Sequence, residues 1–290
     1  MYRRDKEMKK YTMKSFDQEF PDDNACLEWI KNHRWPDGIH CIKCQKVTKH
    51  HRIKNRACYE CDYCGNQMYP TANTIFHKSA TPLRVWFQAI YQMASTRCGI
   101  SAKQIQRETG VTYKTAWRMF KQIRTLFNED AQCLTGEVEV DETYIGGTRH
   151  GTRGRGASGK TIVAGMAQRQ AKVIADVVPN VQAKTLLPMI QEKALPNSII
   201  YTDEMPSYNR LSRMDYDHRT IHHATKVYVL GDIHTNTIDG FWSLVKRGIS
   251  GVYHSVSPLY LQSYVNEYSF RYNHRKDEQS MFKTVLNQIS

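Results

Sequence analysis

The spacing of apolar residues changes near Thr135 and divides the chain into a helical part and a strand-rich part. Before that point apolar residues recur at helical spacing from Phe16 to Trp35, with Asp22 available as a cap, and from Thr74 to Phe127. This spacing predicts helices. From Gly136 to Tyr144 apolar and polar residues alternate strictly instead, which predicts a strand.

The pattern after that strand predicts a layered α/β domain. Strands are expected from Thr161 to Gln168, from Lys172 to Val178 and from Ser198 to Asp203, with a helix from Ala183 to Ala194. Strands and helices in this order favour a mixed sheet flanked by helices. We therefore divide the chain into a helical brace (1–37), a zinc ribbon (38–72), a helical helix-turn-helix region (73–134) and an α/β domain (135–290).

The ribbon is predicted from paired cysteines. The four are Cys41 and Cys44, then Cys61 and Cys64. A two-residue spacer lets both thiolates of a pair face one ion, and two pairs supply the four sulfur ligands of a closed structural Zn²⁺ site. An iron–sulfur centre or a redox pair is the alternative. Cys58 could also pair with Cys61, but we place it as a neighbour because the other four balance symmetrically around a basic hairpin.

The segment from Gly99 to Phe120 has the spacing of a helix-turn-helix. Ser101 would cap a first helix, Gly110 would end it, and Thr112 would cap a second helix. A plain helical hairpin is the alternative. The residues on the second helix that are suited to a major groove are Tyr113, Lys114, Thr115 and Arg118.

Carboxylates end two of the predicted strands. Asp141 shares a strand face with Glu139 and Thr143 near the point where that strand runs out, and Asp203 ends a later strand. Acidic residues after apolar strands are common, so neither position is informative by itself. Together they predict an acidic rim on the sheet.

A third carboxylate lies in the segment 232–275, where a helix is predicted to begin near Thr235 or Thr237. Three residues of unlike character share one face of that helix, namely Asp239, Trp242 and Lys246. An ordinary amphipathic helix, with the ring in the core and both charges in solvent, is the alternative.

The charge of the chain indicates a polyanionic partner. Lys and Arg number 41 against 28 Asp and Glu, which gives a net charge of +13, and such a balance is typical of proteins that bind nucleic acid. A Gly-rich basic segment containing Arg153 and Arg155 would track a phosphate backbone. No apolar run is long enough to span a bilayer, so we expect no membrane partner and a cytoplasmic protein.

With these motifs the chain resembles bacterial insertion-sequence transposases that carry an N-terminal zinc ribbon and a DDE domain, relatives of the eukaryotic Merlin elements. The residues that carry the resemblance are the four paired cysteines, Val140 to Gly147, Tyr201 to Glu204, His234 to Ser243, Lys246, and Phe270 to Asn273. The resemblance implies an RNase H-like fold and movement of a DNA element. It places Asp141, Asp203 and Asp239 at the three catalytic positions.

One position departs from that family, whose third catalytic residue is usually Glu and in some branches Asn. Asp239 is one methylene shorter than Glu, and Asn236, one turn earlier, could supply a neutral oxygen instead. We rank Asp239 first because Trp242 and Lys246 lie on the same face of the predicted helix as Asp239.

Three carboxylates from two strand ends and a helix suit a two-metal phosphoryl-transfer site with Mg²⁺, or with Mn²⁺ in its place. Lys246 would contact a phosphate near the scissile bond, His234 would lie near the water or make a backbone hydrogen bond, and Arg271 would bind DNA. A transposase must hold two DNA ends, so we expect a homodimer or larger assembly on double-stranded DNA. A DNA-binding regulator with a weakened or inactive site and a nuclease without strand transfer are the alternatives.

Overall fold

The computed structural model describes residues 11–129, 133–146, 159–221 and 234–289. These residues form two compact units. Unit 1 contains the residues up to Thr96, Ala102–Leu126 and those from Asp277 onward, and unit 2 contains Arg97–Ser101 and Phe127–Lys276. Within the described ranges, no helix has the length and apolar character needed to cross a membrane.

The helical segment predicted from Phe16 to Trp35 consists of two helices. They are α1 (Met13–Glu19) and α2 (Asp23–Arg34). Asp22 caps α2 by accepting a hydrogen bond from the amide of Ala25 at 2.8 Å. The break falls at Pro21, because a proline disfavours a helical conformation in the residue before it.

The ribbon is built from very short strands. The first hairpin pairs β1 (His40–Cys41) with β2 (Lys46–Val47) in antiparallel fashion. The other strands form an antiparallel sheet of β3 (His50–Arg52), β4 (Tyr59–Cys61) and β5 (Gln67–Met68). One cysteine pair lies in the β1–β2 turn and the other in the β4–β5 turn.

The helices of unit 1 follow the predicted pattern. They are α3 (Leu83–Ser95), α4 (Ala102–Thr109) and α5 (Tyr113–Thr125). Gly110 ends α4 with a φ of +73°, a conformation that glycine adopts without steric penalty. Thr112 caps α5 by accepting a hydrogen bond from the amide of Thr115 at 3.2 Å.

Unit 2 contains a five-stranded mixed sheet with the order β10-β9-β6-β7-β8. Its strands are β6 (Glu137–Ile145), β7 (Thr161–Gln168), β8 (Val173–Val178), β9 (Ile199–Thr202) and β10 (Asp217–Thr220). The pairs β6–β7 and β7–β8 are antiparallel, whereas β9 runs parallel to both β6 and β10. The strand β10 is additional to the predicted set.

Helices cover both faces of this sheet. They are α6 (Ala183–Lys193), α7 (Asn236–Gly248) and α8 (Leu261–Asn273). Leu186 and Ile190 of α6 pack in one apolar core with Val138 of β6, and Phe241 of α7 packs in another core with Val265 of α8. The predicted mixed α/β fold is confirmed, and it is consistent with an RNase H-like transposase domain.

Side-chain amides of α8 pair with the outer strand β8. The Gln262 side chain accepts from the amide of Val177 at 2.7 Å and donates to the carbonyl of Ala175 at 3.1 Å. The Asn273 side chain accepts from the amide of Val173 at 2.8 Å and donates to its carbonyl at 3.1 Å. These backbone groups would otherwise lie unpaired at a sheet edge.

The last helix, α9 (Met281–Leu286), belongs to unit 1. The Phe282 ring lies 5.8 Å from the Phe16 ring and 5.5 Å from the Tyr91 ring, between centroids. Residues 277–290 were expected in the catalytic domain 135–290, and the aromatic packing of α9 corrects that boundary for the described residues.

Candidate active site and zinc centre

The four predicted zinc ligands lie together in the ribbon. Single sulfur atoms of the four cysteines all lie within 4.8 Å of one another. The Cys41 and Cys64 sulfurs are 3.5 Å apart and those of Cys44 and Cys61 are 3.8 Å apart. Four converging thiolates of this kind fit a tetrahedral structural Zn²⁺ ion. They would occupy all four coordination positions, so none would remain for a reacting water.

Local backbone geometry turns the thiolates inward. Gln45, with a φ of +56°, donates its amide to the Cys41 carbonyl at 2.9 Å, and Gly65, with a φ of +69°, does the same for Cys61 at 3.0 Å. The Thr48 hydroxyl lies 3.2 Å from the Cys61 sulfur. That hydroxyl, together with nearby backbone amides, lowers the pKa of Cys61 to about 6, which favours the metal-binding thiolate.

Cys58 does not belong to the ligand group. It is buried, it lies outside the cluster of four, and its thiol donates to the Gln67 side-chain oxygen at 3.9 Å. This geometry agrees with the prediction that Cys58 is a neighbour of the metal site.

The helix α5 presents most of the predicted DNA-contacting residues to solvent. Tyr113, Lys114 and Arg118 are exposed, and Thr115 is half-buried. The Arg118 guanidinium donates to the Ser79 hydroxyl at 3.2 Å, and the Lys103 ammonium lies 4.8 Å from the centre of the Tyr113 ring. The apolar side of this helix is buried through Ala116 and Phe120.

Parallel pairing brings two of the three candidate catalytic carboxylates to one edge of the sheet. Asp141 lies in β6, and Asp203 directly follows β9, which runs parallel to β6. Asp239 lies in the first turn of α7. Asp203 is 9% exposed, Asp141 is half-buried, and Asp239 is exposed.

The three carboxylates interact electrostatically. Burial, together with the charges of Glu142, Asp239 and Asp203, raises the pKa of Asp141 to about 7. Their oxygens do not all come within 4.8 Å of one another, in contrast to the cysteine sulfurs. Carboxylates are the oxygen ligands that divalent cations such as Mg²⁺ prefer, and a bound cation would offset the repulsion within this set.

Each carboxylate is oriented by a hydrogen-bond donor of unit 2. The Trp242 indole N–H donates to Asp141 Oδ2 at 3.0 Å. The Met205 amide donates to Asp203 Oδ1 at 3.0 Å, and the Thr235 hydroxyl donates to Asp239 Oδ2 at 3.2 Å. Trp242 therefore lies in the core, as the amphipathic alternative predicts, while its polar edge contacts the acidic site.

A glycine makes room for that indole. Gly165 of β7 is the partner of Asp141 in the β6–β7 ladder. A Cβ atom at this position would lie 2.6 Å from two ring carbons of Trp242 and 3.2 Å from Cδ1 of Ile238. Only glycine allows the ring to approach the strand this closely.

The sequence prediction missed a fourth carboxylate near the site. Glu142 is 7% exposed and accepts a hydrogen bond from the Tyr208 hydroxyl at 3.1 Å. The signal was present, since Glu142 directly follows Asp141, but strand alternation places it on the opposite face of β6.

The other candidate residues in or next to α7 differ in their exposure to solvent. Lys246 and Asn236 are exposed. His234 is half-buried, its Nδ1 lies 3.3 Å from Glu139 Oε1, and its carbonyl accepts from Arg169 at 2.9 Å. Lys246 lines a cavity of about 250 Å³ together with Gly146, Ser250 and His254.

Arg271 requires a correction. It is 4% exposed and forms an ion pair with Glu267, one turn earlier on α8. A guanidinium in this position is engaged inside the fold, so the expectation that it contacts DNA is wrong. The other two arginines predicted to bind DNA, Arg153 and Arg155, lie outside the described residues.

Two family models match the chain. An ISXO2-like transposase domain matches residues 133–273, and a transposase zinc-ribbon domain matches residues 21–67. The first covers the sheet, the acidic site and the helices α6 to α8, and the second covers the four clustered cysteines.

Two individual relatives agree with these matches. An uncharacterized protein in transposable element ISH50 of Halobacterium salinarum is 29% identical over 290 residues, which span 92% of this chain and 97% of that protein. An uncharacterized transposase-like protein of Haemophilus influenzae is 33% identical over 120 residues, which span 41% of this chain and 94% of that protein. A solved intasome of simian T-cell lymphotropic virus is 13% identical over 63% of this chain and 65% of that one, with a TM-score of 0.32.

A four-cysteine ribbon and an α/β domain with an acidic rim, carried on one chain, define a transposase with a DDE domain. The chain belongs to the family of insertion-sequence transposases that combine a zinc ribbon with an ISXO2-like transposase domain. Membership of this family implies DNA binding, and the ribbon with its clustered cysteines supports structural zinc.

Proposed function

We propose that this transposase binds the terminal repeats of its element and catalyses metal-dependent cleavage and strand transfer of DNA. The observation that carries the proposal is the electrostatic interaction of Asp141 with Asp203 and Asp239, which come from two strands and a helix. A carboxyl group whose pKa is raised by burial and by like-charged neighbours is suited to exchange its proton for a divalent cation.

Asp141 is proposed as the ligand shared by both ions, because the charges of both other aspartates act on it. Asp203 and Asp239 would each complete one side of the site. Bound Mg²⁺ or Mn²⁺ would supply Lewis-acid activation of a water or 3′-hydroxyl and neutralise charge at the phosphodiester. The indole of Trp242 would hold Asp141 in one orientation throughout.

Asp239 is proposed as the third ligand in preference to Asn236. Both residues are exposed, but Asp239 is held by the Thr235 hydroxyl and its charge acts on Asp141. A shorter side chain than the usual Glu is compatible with this role if the helix start is firmly placed.

DNA contacts are proposed for two parts of the chain. Tyr113, Lys114, Thr115 and Arg118 of α5 would contact a terminal repeat, in keeping with their helix-turn-helix setting. Lys246 would contact a phosphate near the scissile bond, and its position in a polar cavity with His254 and Ser250 supports that role. Contacts of Arg153 and Arg155 with the DNA phosphate backbone remain a prediction.

The proposal is tested by incubating the zinc-loaded protein with labelled terminal-repeat DNA and Mg²⁺. Cleaved and joined products are expected, and Asp203→Asn should reduce both by at least about 100-fold. Asp217→Asn is the matched control, because Asp217 lies on the outer strand β10 and pairs only locally with Arg219 at 2.7 Å. Bound but uncut DNA would identify a regulator, and cleavage without joining would identify a nuclease.

The assembly on DNA is also a proposal. Cutting and joining an element requires both of its ends in one complex, so a homodimer or larger oligomer is expected on paired terminal-repeat DNA. Analytical ultracentrifugation of that complex measures its mass, and a mass of one chain per DNA end pair would contradict the proposal.

A further inference from the structure

Glu139 is a fully buried carboxylate that the proposed chemistry does not use. It lies in β6 and is 0% exposed. Its oxygens accept hydrogen bonds from the Thr237 amide at 2.7 Å, the Thr237 hydroxyl at 2.9 Å and the Ile238 amide at 3.0 Å. All three donors belong to the first turn of α7.

These contacts replace the usual cap of that helix. Thr235 occupies the N-cap position but makes no capping hydrogen bond with its side chain, and its hydroxyl donates to Asp239 instead. The first amides of a helix need acceptors from elsewhere, and a carboxylate at the positive end of the helix dipole is favourable. Glu139 therefore caps α7 from a different element of the fold.

A cation secures the carboxylate from its other side. The Arg169 Nε donates to Glu139 Oε1 at 2.9 Å, and Arg169 Nη2 donates to the His234 carbonyl at 2.9 Å. The guanidinium also lies 4.1 Å from the centre of the Tyr201 ring. A buried carboxylate without such a partner would be strongly destabilising, and the guanidinium of Arg169 supplies that partner.

The spacing of these residues links the cap to the acidic site. Glu139 precedes Asp141 by two residues on β6, and Thr237 precedes Asp239 by two residues on α7. The cap thus joins the strand that carries one candidate metal ligand to the helix turn that carries another. A displacement of the helix start would move Asp239 relative to Asp141.

We propose that Glu139 is a positioning residue, which fixes the start of α7 so that Asp239 faces Asp141. This inference rests on the proposed function for the role of Asp239, but the cap itself is measurable without DNA or metal. The short side chain of Asp239 makes the placement of its helix important, because a misplacement of about 1 Å can reduce a reaction rate about 100-fold.

The first test measures amide hydrogen exchange in α7 of the zinc-loaded protein without added Mg²⁺ or Mn²⁺. In Glu139→Gln, exchange at Thr237 and Ile238 should rise at least about 10-fold, because a neutral amide oxygen is a weaker acceptor than a carboxylate. The second half of α7 should keep its protection. Glu137→Gln is the matched control, since Glu137 contacts Arg169 at 3.3 Å from the same strand but does not contact α7.

The second test measures single-turnover cleavage and DNA affinity of the same variants. Glu139→Gln should lower the cleavage rate about 10-fold to 100-fold with unchanged DNA affinity and zinc content, whereas Glu137→Gln should leave the rate near that of the natural protein. If Glu139→Gln does not fold, Thr237→Val removes one of the three donors and should lower the rate a few-fold, and Thr237→Ser should restore it.

The outcomes separate the two proposals. Unchanged exchange in Glu139→Gln, or equally raised exchange along all of α7, would overturn the positioning role. A natural protein that fails to cut DNA, while Glu139→Gln still shows raised exchange at the helix start only, would contradict the proposed function and leave the cap intact.

Discussion

Replacing Gly165 with alanine tests whether the indole of Trp242 holds the active site in place. A Cβ atom at residue 165 would lie 2.6 Å from two indole carbons and 3.2 Å from Cδ1 of Ile238. The indole cannot move outward freely, because Trp242 is 3% exposed and packs in the core of unit 2. Either the ring or the β7 backbone must therefore shift.

The size of the effect follows from two contributions. Overpacking a core position in this way typically destabilises a protein by about 1–3 kcal/mol. Loss of the 3.0 Å hydrogen bond between the Trp242 indole and Asp141 would add roughly 1.5–3 kcal/mol if Asp141 is ionised. For a domain of this size each kcal/mol lowers the melting temperature by roughly 2–4 °C.

Thermal unfolding and single-turnover cleavage measure the two consequences of Gly165→Ala. We expect a lower melting temperature and a cleavage rate reduced about 10-fold to 100-fold, because Asp141 loses its fixed orientation. Gly240→Ala is the control, since a Cβ atom there meets no heavy atom within 4 Å and alanine should stabilise the helix α7 by about 0.5–1 kcal/mol. If Gly165→Ala kept the melting temperature and the cleavage rate of the natural protein, the proposed role of the close contact between Gly165 and the Trp242 indole would be refuted.

Three further outcomes follow from the described geometry. Cys58→Ser should retain zinc while Cys61→Ser should lose it, as measured by metal analysis after gel filtration, because only Cys61 belongs to the ligand group. The pKa of Asp141 is raised to about 7 from an ordinary value of 3.8, so the folded protein binds this proton more tightly than the unfolded chain. In zinc-loaded protein without added Mg²⁺ the melting temperature should therefore fall as pH rises from 5 to 8, and Asp141→Asn should flatten that dependence. Lys114→Ala should weaken DNA binding and reduce the salt slope by about 1. Arg271→Ala should leave that slope unchanged and destabilise the fold by roughly 3–5 kcal/mol, because it removes the cation that compensates the buried carboxylate of Glu267.

Local sequence signals predicted the elements that position the candidate site. The strand carrying Asp141 and the strand before Asp203 have apolar residues in regular patterns, and their observed bounds lie within about two residues of those expected. The paired cysteines predicted their own grouping, because CxxC spacing determines which thiolates can face one ion.

Features that depend on contacts between distant parts of the chain could not be predicted from local sequence patterns. The strand β10 consists of Asp-His-Arg-Thr and has no apolar alternation, so only its pairing with β9 identifies it. Arg271 has Glu267 one turn earlier, which the sequence shows, but the burial of that pair depends on how α8 packs.

Glu139 illustrates the limit most clearly. Alternation placed it correctly on the face of Asp141, where a charged residue would ordinarily be solvated. Its hydrogen bond with the Thr237 amide joins residues nearly one hundred positions apart. The hydrophobic periodicity of neither segment predicts this contact.

The paired amides of Gln262 and Asn273 have a consequence for how copies of this chain can associate. By occupying backbone donors and acceptors of β8, they block strand addition at that border of the sheet. An open strand border is also a template for fibrous aggregation, and the glutamine and asparagine remove that template at β8.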